Sequence, residues 1–283
     1  PTEILARQHF QNSRKLLDSL GIASCLLISD MKKPEKDEAH KAISDGTAQV
    51  VIGTHALISK AVEFKNLGLV VVDEQHRFGV NQRKELKSKA GKMPHLLTMT
   101  ATPIPRSLAL VVYGDLDLSI IDELPVGRKP IITKFVEERD RVHVYSHIDS
   151  LIDQGQQAYV VCPLIAESDK LGVKSVEAEF ANLQKTVFKH RRIGLVHGRL
   201  KSDEKASIMA SFKEGKIDML VATSVIEVGV DVANATIMLI EGADRFGLAA
   251  LHQLRGRVGR GNIQSHCYLF TDSENPETLK RLR

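Results

Sequence analysis

The chain has 283 residues, 43% of them hydrophobic and 26% charged, with a formal net charge of +4. That length suits two domains of ordinary size, the composition is that of a soluble globular protein, and no apolar run reaches the roughly 18 residues that span a bilayer. The cysteines Cys25, Cys162 and Cys267 are scattered without CxxC spacing, which argues against a disulfide framework or a zinc site and for a reducing cytosol.

The first residues, Pro1-Thr-Glu-Ile-Leu-Ala-Arg-Gln8, lack the basic stretch and apolar core of a signal peptide. They also lack an initiator Met, so a piece of a longer protein is expected. Val50-Val-Ile-Gly-Thr54 reads as a strand, with Gly53-Thr-His55 at its end. Leu69-Val-Val-Val-Asp-Glu-Gln-His76 reads as a parallel strand covered on both faces that stops abruptly in two acids. Carboxylates at the carboxyl end of such a strand lie where open α/β sheets bind ligands. In nucleotide motors an acid there coordinates Mg²⁺, and an adjacent Glu orients or deprotonates a water. The alternative is a strand running into a solvated acidic turn.

Further on, Leu97-Thr-Met-Thr-Ala-Thr-Pro-Ile-Pro-Arg106 is a strand that ends in hydroxyl residues and a proline-stiffened turn. Those hydroxyls suit a relay to His76, or a plain helix cap. Two prolines and a glycine in Asp122-Glu-Leu-Pro-Val-Gly-Arg-Lys-Pro130 interrupt both periodicities, so a hinge is expected there, with domains at 1–125 and 126–283. Glu167 to Lys174 reads as a surface excursion, and His143 and His147 as surface or packing residues. His197-Gly-Arg199 follows a strand, with a basic residue placed for phosphate. Val221-Ala-Thr-Ser-Val-Ile-Glu-Val-Gly-Val-Asp231 offers polar groups to a nucleic-acid backbone and to a ribose, or is an ordinary strand–loop–strand. Last comes His252-Gln-Leu-Arg-Gly-Arg-Val-Gly-Arg-Gly261, in which Arg255 to Gly261 hold three arginines and three glycines. Glycine admits close backbone approach and guanidinium forks match phosphate oxygens. A solvated basic loop or a non-catalytic nucleic-acid patch is the competing reading; the acidic strand end upstream favours arginine fingers on a triphosphate.

An internal repeat organises these pieces. Displaced by 169 residues, Leu26 falls on Leu195, Lys32 on Lys201, Glu35-Lys36 on Glu204-Lys205, Gly46 on Gly215 and Thr54 on Thr223. Each copy reads as strand, polar loop, helix, glycine turn, strand and Thr, continuing to an Asn (Asn66, Asn234) and an acid (Asp73, Glu241). The expected fold is therefore α/β, two similar domains with mostly parallel sheets and helices on both faces.

Assembled, these residues resemble the motor of superfamily 2 helicases, and within it the RecG branched-DNA helicases. The stretches that carry the resemblance are Pro1-Thr-Glu3, Asp73-Glu-Gln-His-Arg-Phe-Gly-Val80, Thr100-Ala-Thr-Pro-Ile-Pro-Arg106, Val225-Ile-Glu-Val-Gly-Val-Asp231 and Gly247 to Gly261. The transcription-repair coupling translocases share the RFGV and LHQLRGRVGR runs, but Gln75 and Ile121-Asp-Glu-Leu-Pro-Val-Gly-Arg128 favour RecG. The resemblance implies two tandem RecA-like domains and ATP-driven remodelling of stalled forks and Holliday junctions by a monomeric enzyme of the bacterial cytosol, associated with the nucleoid. It implies that Asp73 binds Mg²⁺, Glu74 activates water, and Arg257 and Arg260 are arginine fingers supported by Gln253. Gly229 and Asp231 would face ATP, and His76, Thr100 and Thr102 would couple the two sites. Thr2, Thr54, His55, Arg106, His197, Arg199 and Thr223 would contact DNA.

The pattern GxxxxGK[ST], which the family uses to cradle phosphates, occurs nowhere in the sequence. In the family that loop and its strand precede the position of Pro1, and a wedge domain and a translocation hairpin lie outside the stretch matched. The first domain is accordingly expected to be incomplete and the chain itself to hydrolyse little ATP. A non-catalytic nucleic-acid-binding module is the alternative from another class.

Overall fold

The structure, a computed structural model, describes residues 3–74, 94–100, 117–123, 125, 127–163, 170–223, 232–271, 273 and 275–282. The chain divides into two compact units, 1–116 and 117–283. Among the described residues, no helix is long and apolar enough to cross a membrane.

In the first unit, α1 (Glu3–Ser19) leads to β1 (Ser24–Leu27), α2 (Lys33–Asp45), β2 (Val50–Gly53), a 3₁₀ turn (His55–Ile58), β3 (Leu69–Val72) and β4 (His95–Thr98). Helix α2 carries Pro34 in its first turn and ends at Gly46, whose φ of 77° is left-handed. It buries Ala39 and Ile43, one turn apart, on Leu27 and Val62. β1 pairs with β2 and β3 with β4, both parallel, as two separate two-stranded sheets. The expectation that Leu69–Val72 is covered on both faces does not hold. Val70 and Val72 are buried with Ile58, whereas Leu69 and Val71 are 59% and 52% exposed. Alternate strand residues point to opposite faces, so a strand packed on one side alternates in exposure even when every residue is apolar.

Gly53 closes β2 against β1. A Cβ there would lie 2.2 Å from the Leu27 carbonyl oxygen and 2.9 Å from Leu57 Cγ. The first obstacle is backbone, so relief requires moving a strand. Gly53→Ala is expected to destabilise the first unit by about 1–3 kcal/mol, read as a lower midpoint in urea; an unchanged midpoint contradicts this packing.

The second unit runs β5 (Ile132–Val136), α3 (Arg141–Asp153), β6 (Gln157–Val161), α4 (Lys170–Asn182), β7 (Ile193–Val196), α5 (Ser202–Lys213), β8 (Met219–Ala222), β9 (Ala235–Ile240), α6 (Leu248–Arg255), β10 (His266–Phe270) and α7 (Pro276–Leu282). Six parallel strands lie in the order β5-β10-β9-β6-β8-β7. Every residue of β6, β8 and β9 is buried, as continuous apolar runs require in a sheet covered on both faces. Period-2 alternation splits them: Tyr159, Val161, Met238 and Ile240 pack with Phe212 of α5 and Leu254 of α6. Ala158, Val160, Ile237 and Leu239 pack with Ile148 of α3 and Val176 of α4. Each large side chain so buried contributes about 1.5–3 kcal/mol. Helix α4 begins at Lys170, inside the stretch expected to be a surface excursion, and buries Val176 just beyond that stretch.

The repeat is reproduced bond by bond at the same displacement. Ser24 pairs with Val50, and Ile193 with Met219. The N–H of Gln49 donates to the Ala23 carbonyl, and that of Asp218 to the Arg192 carbonyl, each at 2.8 Å. Glu35 accepts the Lys32 N–H at 3.2 Å, and Glu204 the Lys201 N–H at 3.0 Å. Two copies of one supersecondary unit have kept their caps as well as their strands.

Surface ion pairs pin the ends of the second sheet. Arg191 donates to Asp149 at 2.7 Å and Asp153 at 2.6 Å, and Arg192 to Asp218 at 2.5 Å. Burial acts to raise the Asp149 and Asp218 carboxyls, but the arginine hydrogen bonds win and hold both below their ordinary value. A depressed carboxyl stabilises the fold at neutral pH and loses that contribution as pH falls through its folded value. The melting temperature is therefore expected to drop steeply below about pH 4, and Arg192→Gln to flatten that drop. A pH-independent melting temperature between about pH 6 and pH 3 contradicts the assignment.

Candidate functional site

Strand β3 delivers Asp73 and Glu74 at its carboxyl end. Glu74 has φ +52°, the one positive-φ residue other than glycine among those described. A side chain held in that region costs on the order of 1–3 kcal/mol and such strain concentrates at functional sites. Asp73 Oδ1 accepts the Glu74 N–H at 2.8 Å, and Oδ2 lies 3.3 Å from His9 Nε2 on α1. The His9 hydrogen bond, opposed by burial and reinforced by the Glu74 N–H, holds the Asp73 carboxyl below its ordinary value. Asp73 is thus ionised at neutral pH, half-exposed, and a hard oxygen donor of the kind Mg²⁺ takes. Thr100 belongs to the same rim, since Met99 donates to the Val72 carbonyl at 2.8 Å where β4 runs beside β3. A cavity of about 870 Å³ opens between β2 and β3, with Val50–Gly53 on one side, Leu69–Val72 on the other, and His9 and Asp73 at its margin.

Thr54 and His55 follow β2. The Thr54 hydroxyl accepts the Ala56 N–H at 3.5 Å and caps the 3₁₀ turn.

In the second unit, α6 buries Leu251 and Leu254 and carries the half-buried Gln253 between them. The chain then turns at Gly256, with Arg257 buried, Val258 buried and Arg260 half-buried. Gly259 has φ 77°, and a Cβ there would meet Ile131 Cγ1 at 2.9 Å. Only glycine fits, and this turn sets the spacing of Arg257 and Arg260. Arg255 Nη2 sits 3.1 Å from His252 Nδ1 on the helix.

The carboxyl ends of the second sheet form a further polar rim. His197 follows β7 and is 7% exposed; Thr223 follows β8 and is fully buried. His197 Nδ1 and Thr223 Oγ1 are buried with no hydrogen-bond partner among the described residues. Arg199 beside them is exposed. Thr2, His76, Thr102, Arg106, Gly229 and Asp231 lie outside the described residues.

One element of this rim has no signature in local spacing. Arg141, opening α3, donates to both carboxylate oxygens of Glu241 at 2.9 and 3.1 Å and to the Tyr145 hydroxyl at 2.8 Å, and stacks 4.5 Å from the Phe270 ring. The partners are 100 residues apart, and only the repeat, which set Glu241 against Asp73, marked the acid. Arg141→Met leaves a carboxylate that is 14% exposed without its forked partner. A loss of about 3–5 kcal/mol is expected, with Glu241→Leu restoring much of it. Equal losses in the single and double variants, measured by denaturant unfolding, contradict this. His147, taken as a surface or packing residue, lies edge-on to His266 at 5.3 Å.

The two units are tandem RecA-like domains of the helicase fold, with acids at the end of a strand in one and an arginine–glycine turn in the other. Residues 1–111 match the DEAD/DEAH box helicase family and residues 142–262 the helicase conserved C-terminal domain. Over its whole length the chain is similar to RecG helicases. It is 51% identical over 284 residues to the ATP-dependent DNA helicase RecG of Thermotoga maritima, covering all of this chain and 36% of that protein. It is 50% identical over 282 residues to the Synechocystis RecG, covering all of this chain and 34% of that one. A solved structure of RecG bound to a three-way DNA junction superposes with a TM-score of 0.78 at 46% identity, over all of this chain and 36% of that one. The chain thus spans between 34% and 42% of the length of such curated relatives.

Proposed function

We propose that the protein to which this chain belongs is an ATP-driven motor that remodels branched DNA, stalled forks and Holliday junctions, as a monomer in the bacterial cytosol. Residues 1–125 and 126–283 serve as its two motor domains. The observation that carries this reading is the Asp73-Glu74 turn: an ionised carboxylate beside a Glu held at φ +52° on the end of a parallel strand. When bound, Mg²⁺ supplies charge neutralisation for the triphosphate oxygens. Asp73 would hold that ion, and Glu74 would orient the attacking water and take its proton. Arg257 and Arg260, supported by Gln253, would face the phosphates, with Gly229 and Asp231 nearer the ribose. His76, Thr100 and Thr102 would connect this site to the DNA. Thr2, Thr54, His55 and Arg106 in the first domain, and His197, Arg199 and Thr223 in the second, would contact the DNA backbone.

The sequence carries no phosphate-cradling GxxxxGK[ST] loop. The chain alone is therefore expected to bind duplex without turning over ATP. Phosphate contacts dominate such binding, so affinity should fall with salt at a slope of about −0.9 per phosphate neutralised. Binding measured by fluorescence anisotropy tests this; affinity independent of salt would sink the backbone-contact assignments.

A further inference from the structure

The two copies of the repeat share a loop that is used differently in each. After β1 the chain passes through Ser29-Asp30-Met31-Lys32 into α2, and after β7 through Gly198-Arg199-Leu200-Lys201 into α5. In both, a half-buried lysine on the helix turns back to the first loop carbonyl: Lys36 Nζ donates to Ser29 O at 2.6 Å, and Lys205 Nζ to Gly198 O at 2.8 Å. Lys32 and Lys201 precede the helices with the same backbone angles, φ −64° with ψ 151° and 153°. Tethering the first carbonyl fixes the orientation of the peptide unit whose N–H belongs to the next residue. In the first copy that N–H, of Asp30, donates to the Glu3 carboxylate at 2.9 Å. This loop, built this way, holds an oxyanion.

The second copy replaces Asp30 by an exposed Arg199 and, among the described residues, records no carboxylate on its N–H. Gly198 stands open, with nothing among the described residues within 4 Å of where a Cβ would be. Beside it lie His197 Nδ1 and Thr223 Oγ1, buried without a hydrogen-bond partner among the described residues, whereas the equivalent Thr54 hydroxyl is used internally as a cap. We propose that Lys205 is a positioning residue for DNA binding: its tether to Gly198 sets the loop so that the Arg199 N–H and side chain together grip one backbone phosphate. This rests on the assignment of His197, Arg199 and Thr223 to the DNA backbone. The first copy keeps the scaffold but satisfies it with Glu3, so Lys36 has the same structural task and no part in gripping DNA.

That difference supplies the control. Binding of a fluorescein-labelled three-way junction is measured for the full chain carrying Lys205→Met, Lys36→Met, Arg199→Ala and the pair Lys205→Met with Arg199→Ala, alongside their melting temperatures. Lys205→Met is expected to weaken binding roughly tenfold, the scale of one charge-assisted contact, and Lys36→Met to leave it within about twofold. Lys205→Met should weaken binding less once Arg199 is already alanine, because only the N–H of residue 199 is then left for the tether to position. Additive losses, or equal losses from Lys36→Met and Lys205→Met, overturn the proposal. If Arg199→Ala itself leaves affinity and salt slope unchanged, the underlying DNA assignment fails. Should Arg199→Ala lower the slope by about 0.9 while Lys205→Met does nothing, only the positioning role fails.

Discussion

Replacing Arg260 by glutamine in the full-length protein is expected to slow ATP turnover by about 10³–10⁵-fold, the range arginine fingers supply in phosphoryl transfer. The charge developing on the transferred phosphoryl is what a guanidinium stabilises, so nucleotide affinity should change far less than rate. Arg260 is the better probe because it is half-buried, whereas Arg257 is packed into the turn at 9% exposed. Arg257→Lys keeps the charge but loses the planar fork, and it should still cost most of the rate. If Arg260→Gln lowers affinity for ATP and leaves turnover at saturation unchanged, the arginine binds nucleotide but is no finger.

The second large effect is expected at Glu74. Glu74→Gln preserves shape and removes the base, so turnover should fall by about 10²–10⁴-fold with DNA binding nearly intact. The strained backbone sharpens this prediction. Glu74→Gly removes the side chain and also the cost of φ +52°, so it should be at least as stable as the parent while equally inactive. Stability measured beside turnover separates the two roles; a fully active Glu74→Gln would remove Glu74 from the chemistry.

Much of this was readable in the sequence, for identifiable reasons. The 169-residue repeat survived as Lys32, Glu35, Lys36 and Gly46 against Lys201, Glu204, Lys205 and Gly215 because those residues cap and stop a helix. Such roles tolerate few side chains, so they leave a local signature. The rule that a continuous apolar run is a strand covered on both faces holds for β8 and β9. The same rule misread β3, since Leu69-Val-Val-Val72 is equally apolar but buries only alternate residues; composition reports what a strand tolerates, and only packing decides which faces are covered. Arg141 and Glu241 were illegible as a pair because 100 residues separate them and each is an ordinary charge in its own segment. His9 beside Asp73, 64 residues away, was hidden for the same reason. Start of α4 at Lys170 escaped because its polar residues resemble a loop until Val176 is seen in the core.

ATP turnover by the full-length protein, compared on a three-way junction and on linear duplex of equal length, tests the motor reading most directly. A RecG-type motor predicts turnover stimulated strongly by the junction and weakly by the linear duplex, and abolished by Glu74→Gln on both. Equal stimulation by the two substrates would assign a duplex translocase of the coupling-factor type. No turnover with either DNA would contradict the motor reading and leave a nucleic-acid-binding module.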